Sequence, residues 1–167
     1  MEFELKPISA DAADAALERA KQYRLLNEPA AAESICLDVL KTDPKNNEAR
    51  VHLLLALTDQ FQTSLTETFN AAMELLADFD DDYNKIYYEG VIAERRGKAH
   101  LRRGGSGSGS VAYEWLRNAM DCYEKAEKIR QSGNDESLLR WNSCVRLIDR
   151  YSDLKPGVES TEEQMLE

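Results

Sequence analysis

Between Lys45 and Leu154 the chain has no proline. A proline inside a helix removes a backbone donor and clashes with the preceding turn, costing about 3 kcal/mol. A proline-free stretch of this length therefore leaves helices free to run. It is filled with Ala, Leu, Glu, Lys, Arg and Met, the residues that lose least on entering a helix. No segment alternates apolar and polar positions with the Val, Ile and Thr enrichment of a strand. The expected fold class is all-α.

The remaining punctuation predicts about seven helices. A first is expected from Ala10 to Leu26, with Ala13, Ala16, Leu17, Ala20 and Tyr23 on its inner face. Asn27-Glu28-Pro29 interrupts it, and Pro29 suits the first turn of a second, which carries Ala32, Ile35, Cys36, Val39 and Leu40 up to Asp43-Pro44. Asn46 or Asn47 would cap a third, running through Leu53, Leu54 and Leu57 to Phe61. Ser64-Leu65-Thr66-Glu67 has the form of a capping box for a fourth, with Phe69, Ala72, Met73 and Leu76. Asp80, Asp81 and Asp82 would place negative charge at the start of a fifth, which continues to Arg103.

Residues 104–110, Gly-Gly-Ser-Gly-Ser-Gly-Ser, read as a flexible tether, either natural or an engineered replacement for a longer loop. A sixth helix would present Trp115, Ala119, Cys122, Tyr123, Ala126 and Ile129 on one face before Gly133. A seventh, capped by Asn134 or Asp135, would run through Leu138, Trp141, Val145 and Ile148 to Tyr151. The expected organisation is an N-terminal extension over 1–9, one helical domain over 10–151, and an acidic, flexible tail over 152–167.

Short antiparallel helix pairs call for a search for a repeat. Residues 13–46 make a 34-residue helix-turn-helix with Ala20 and Tyr23 in its first helix, Ala32 in its second, and Pro44 closing it. Small residues let two helices approach, and the aromatic fills the gap beside them. Gly90 returns at the small position of a later first helix, and Ala119-x3-Tyr123-x2-Ala126 repeats the second-helix grammar, with a looser version at Phe69 and Ala72. The segment from Ala13 to Arg130 resembles the tetratricopeptide repeat family. The first helices lack the motif tryptophan, Leu54 stands where a small residue is usual, and Asp80-Asp81-Asp82 replaces the second closing proline. The third unit is longer than its template by about 17 residues, the Gly/Ser run among them. The resemblance implies an α-solenoid of about three repeats and a capping helix.

The chain carries 31 Asp and Glu against 21 Lys and Arg, a formal charge of −10. That balance disfavours nucleic acid and anionic membranes as partners. Cys36, Cys122 and Cys144 form no CxxC pair, so neither a disulfide framework nor a zinc site is expected. No apolar run reaches the ~20 residues of a membrane span, and the N-terminus lacks the pattern of a secretory signal. A cytoplasmic setting is expected, without a cofactor.

His52 and His100 are the two histidines, and no nucleophile elbow, phosphate-cradling glycine loop or HExxH motif is present, so catalysis is not expected. Asp78, Asp80, Asp82 and Glu89 have the spacing of a calcium loop, but Tyr83 stands where its glycine belongs, which favours a helix-capping turn. Arg95, Arg96, Lys98, His100, Arg102 and Arg103 form one basic cluster, read either as compensation of the helix dipole or as an anchor for an acidic peptide or phosphate.

In the family, ligands face the first helix of each repeat. Carried over, those positions are Leu17, Lys21, Arg24 and Leu25, then Val51, His52, Leu55 and Thr58, then Tyr87, Tyr88, Val91 and Arg95. The family's best-known carboxylate clamp has no match at Leu17, Lys21, His52, Asn84 and Tyr88. The resemblance thus implies a non-catalytic module binding a protein or peptide, acidic in character, in a concave groove. Lys21, Arg24, His52 and Arg95 would supply polar contacts, and Tyr87 and Tyr88 the apolar anchors. Self-association through the last helix is the alternative.

Overall fold

A computed structural model describes residues 3–157, and the part of the tail expectation falling on 158–167 lies outside the described residues. Among these, seven α-helices and no strand are found: α1 (Ala13–Leu25), α2 (Pro29–Thr42), α3 (Asn47–Asp59), α4 (Leu65–Leu75), α5 (Asp82–Arg103), α6 (Ser108–Ile129) and α7 (Glu136–Arg150). The protein is all-α. Short 3-10 turns at Ala10–Ala12 and Leu76–Asp78 lead into α1 and follow α4.

Local chemistry accounts for most boundaries. Pro29 occupies the first turn of α2, where its missing N–H leaves nothing unpaired. Asn46 caps α3, its Oδ1 accepting from the Ala49 amide at 2.9 Å. Asp81 caps α5, accepting from the Asn84 amide at 2.8 Å, which satisfies one of the amides every helix start leaves open. The expected box at Ser64 does not form: the Ser64 hydroxyl donates to the Glu67 carboxylate at 2.8 Å and caps no amide. Between α1 and α2 the chain turns through Asn27 at φ 60°, a left-handed conformation that asparagine tolerates.

Each helix packs on the next along the chain, and α3 also touches α1 and α5. Two apolar clusters result. One fills the space among α1–α4 and one side of α5, with Leu17, Ala20, Cys36, Leu54, Phe61 and Ile92 at its centre. The other joins α5, α6 and α7 through Val91, Leu116, Ala119, Tyr123 and Cys144. Helix α5 serves both, which its length and its small residues permit. Gly90 and Gly97 lie against α6, where Tyr123, Ala112, Leu116 and Trp115 occupy the space a β-carbon would need.

Two expectations are corrected. The Gly/Ser run is not a tether throughout: Ser108, Gly109 and Ser110 form the first turn of α6, and the turn proper is Gly104–Gly107, with positive φ at Gly104, Gly105 and Gly107. The chain after α7 is not frayed from Ser152 onward either. Leu154 is 4% exposed and packs into the second cluster, and a β-carbon on Gly109 would lie 2.3 Å from the Asp153 carbonyl oxygen. Glycine at the start of α6 is therefore what lets the post-α7 segment return to the core. Cys36 and Cys144 are buried and Cys122 half-buried, all as thiols whose pKa burial raises to about 11, 12 and 11 respectively.

Candidate functional site

Helices α1, α3 and α5 line a cleft of about 610 Å³, to which α7 contributes Arg140. Lys21, Arg24 and Leu25 enter from α1, His52, Thr58 and Asp59 from α3, and Arg95, Lys98 and Arg102 from α5. The α5 residues follow from helical periodicity, since positions 95, 98 and 102 share a face. The same periodicity divides the basic cluster. Arg96 lies on the other side, its guanidinium 3.9 Å from the centre of the Phe69 ring and 4.3 Å from that of Trp115.

Of the expected ligand positions, Lys21, Arg24, Leu25, His52, Thr58 and Arg95 meet in this cleft. Leu17 and Val91 are buried in the core instead. Tyr87 and Tyr88 do not line the cleft. Tyr87 is buried, its ring 5.9 Å from Tyr123 and its hydroxyl donating to Glu136 at 3.2 Å. Tyr88 is half-buried and stacks on Phe79 at 5.4 Å. The apolar part of the cleft comes from Leu25, 87% exposed, and from Phe61.

Two carboxylates organise the cations. Asp59 receives Arg24 Nε at 2.7 Å and also pairs with Arg95. Arg95 further donates to the Thr58 hydroxyl at 2.7 Å and the Leu55 carbonyl at 3.2 Å, which ties α5 to α3. Glu94, 1% exposed, accepts from the Tyr123 hydroxyl at 2.6 Å, pairs with Lys98, and receives Arg140 Nη1 at 3.5 Å. Arg140 Nε also donates to the Tyr87 hydroxyl at 3.4 Å. At the rim, hydrogen bonds that Lys21 donates to Glu18 and Glu48 raise its pKa.

The cations crowd one another. Burial lowers the Arg95 pKa, and the charges of Arg24 and Arg140 lower it further against the pull of Asp59. Asp59, Glu94 and Arg140 are not among the residues the sequence points to. Glu94 carried a signal: it stands between Gly90 and Gly97 on the face that closes on α6. Arg140 carried none, because its role depends on how α7 docks.

The acidic turn is no calcium loop. Helix α5 begins at Asp82, so Asp82 to Glu89 is helical. No group of three or more His, Cys, Asp or Glu side chains able to hold a metal occurs among the described residues. No described helix is long and apolar enough to cross a membrane.

His52 and His100 make stability depend on pH. Burial lowers the pKa of each below 6.5, reinforced by Arg24 and Lys21 for His52 and by Arg96 and Arg103 for His100. The unfolded chain then binds protons that the folded state refuses. Their contribution is complete above pH 6.5 and is lost as pH falls through the depressed folded values. Urea midpoints should drop between about pH 7.5 and 5.5 by more in the parent than in a His52→Gln/His100→Gln variant. Equal drops would show that neither histidine resists protonation.

Fold and cleft together define an all-α helical protein with a cationic cleft on an acidic body. No family model matches the chain, nor does any curated protein or solved structure.

Proposed function

We propose that the chain is a non-catalytic interaction module of the tetratricopeptide kind, which holds an acidic segment of a partner protein in the α1–α3–α5 cleft. The carrying observation is charge placement. On a molecule of net charge −10, six cationic side chains from three helices converge on one concavity: Lys21, Arg24, Arg95, Lys98, Arg102 and Arg140. The succession of α1, α3 and α5 along one side, each separated by an intervening helix, supports the repeat reading. Leu25, exposed beside the charges, offers an apolar contact. A cytoplasmic setting belongs to the same reading.

Fluorescence anisotropy with a labelled Glu/Asp-rich peptide containing one leucine tests it, against a Lys-rich peptide of equal length. The acidic probe should bind and weaken with salt. Reversing two charges, Lys98→Glu with Arg102→Glu, should weaken it by about tenfold or more. Equal binding of both peptides, or no effect of the reversal, would overturn the assignment.

Self-association is the second reading, favoured by a separate groove between α6 and α7. Trp141 lines it, with its indole N–H on Glu124 at 3.1 Å, and Leu139 is 62% exposed on α7. Light scattering over a range of concentrations decides this one. A strict monomer eliminates it.

A further inference from the structure

The cleft is short of negative charge in a specific way. Asp59 answers both Arg24 and Arg95, and Glu94 answers both Lys98 and Arg140. Two carboxylates thus face four cations, an excess of two positive charges. Arg102 adds to it, being exposed at the mouth with no ion pair among the described residues. The two carboxylate sites are adjacent, because Arg95 and Lys98 lie one turn apart on α5, about 5 Å along the axis. Three of the four shared cations are guanidiniums.

We infer that the cleft binds a phosphoryl group carried on a side chain of the peptide that occupies it. This rests on the peptide-binding reading above and specifies its ligand. A phosphoserine or phosphothreonine brings a charge of about −1.5 to −2 at neutral pH and three acceptor oxygens. That answers most of the excess positive charge, and planar guanidiniums bind tetrahedral oxyanions through paired N–H donors. A single carboxylate would leave more of that charge unanswered. A nucleic acid would carry further phosphates out of the cleft and onto a body of net charge −10, where they are repelled.

The test uses one labelled acidic peptide in three forms, with serine, glutamate or phosphoserine at its centre, and inorganic phosphate as a sequence-independent probe. The phosphoserine form should bind about tenfold or more tightly than the glutamate form. Inorganic phosphate should compete with it and raise the melting temperature, where chloride at equal ionic strength does not. Arg24→Gln should bring the phosphoserine form down to the glutamate level and abolish the shift with phosphate. Arg102→Gln, at an exposed position that does not endanger folding, should reduce the same preference severalfold.

Equal binding of the glutamate and phosphoserine forms, with no stabilisation by inorganic phosphate, overturns the inference and leaves the peptide reading standing. Stabilisation by phosphate without binding of any peptide form overturns the peptide as its source. A short single-stranded oligonucleotide that outcompetes the phosphopeptide does the same in favour of nucleic acid. No binding of any probe removes both readings.

Discussion

Truncation of Glu94 to alanine is expected to cost about 3 kcal/mol of folding stability, within the range for breaking a buried charge pair from one side. For a chain of this length that corresponds to a fall in melting temperature of about 6–12 °C. The side chain is 1% exposed and holds together three elements: α5 itself, Tyr123 from α6 and Arg140 from α7. Without it the buried Tyr123 hydroxyl loses its acceptor, and an unsatisfied buried donor costs about 1–3 kcal/mol. Lys98 and Arg140, each about a third exposed, turn toward water and recover part of the loss. Glu94→Gln keeps an acceptor for Tyr123 and should cost less than the alanine, while Glu94→Leu fills the volume and still strands the hydroxyl. Thermal and urea unfolding of the three variants decides the matter. A Glu94→Leu variant as stable as the parent would show that the carboxylate is no structural keystone.

Gly90→Val should be about as damaging. A β-carbon on Gly90 would sit 2.7 Å from Cε1 and 2.9 Å from Cδ1 of Tyr123, and 3.1 Å from the Cys122 β-carbon. The ring cannot retreat freely, because its hydroxyl is anchored on Glu94 at 2.6 Å and its body is buried. Overpacking of this kind costs about 1–3 kcal/mol. The valine, with two methyls to place, belongs at the top of that range. Gly90→Ala should cost less, since alanine recovers up to about 1 kcal/mol of helix propensity. A double-mutant cycle identifies the cause. In a Tyr123→Phe background the anchoring hydrogen bond is gone, the ring can shift, and the penalty of Gly90→Ala should shrink. Strict additivity would place the clash elsewhere.

These two sites show what could be read in advance. The helix boundaries at Pro29, Asn46 and Asp81 are set by interactions within four residues of chain, so residue types alone placed them to within a residue, at Pro29, at Asn46 or Asn47, and within Asp80–Asp82. Gly90, a small residue expected where two helices approach, lies at the crossing of α5 and α6. The polar members of the expected site, Lys21, Arg24, His52 and Arg95, share the cleft. Its expected aromatic anchors do not. Tyr87 and Tyr88 both fall about two turns before Arg95, where neighbouring elements cover them: Tyr87 packs on Tyr123 of α6, and Tyr88 stacks on Phe79.

By itself the sequence determined that the chain is all-α, where most of its helices start, and that base gathers from Arg95 to Arg103 on an otherwise acidic chain. Those properties depend on backbone donors, side-chain rotamers and charge counted along the strand. Only the tertiary structure decided which face of α5 meets the cleft, that Glu94 is buried among cations, and that Arg140 reaches the cleft from α7. It also returned Leu154 to the core over Gly109. The physical reason is range. A cap or a turn is settled by neighbours a few residues away, whereas the state of a charge depends on which groups surround it in space. For Glu94 and Arg140 those groups, Lys98 apart, lie 29 to 53 residues distant along the chain.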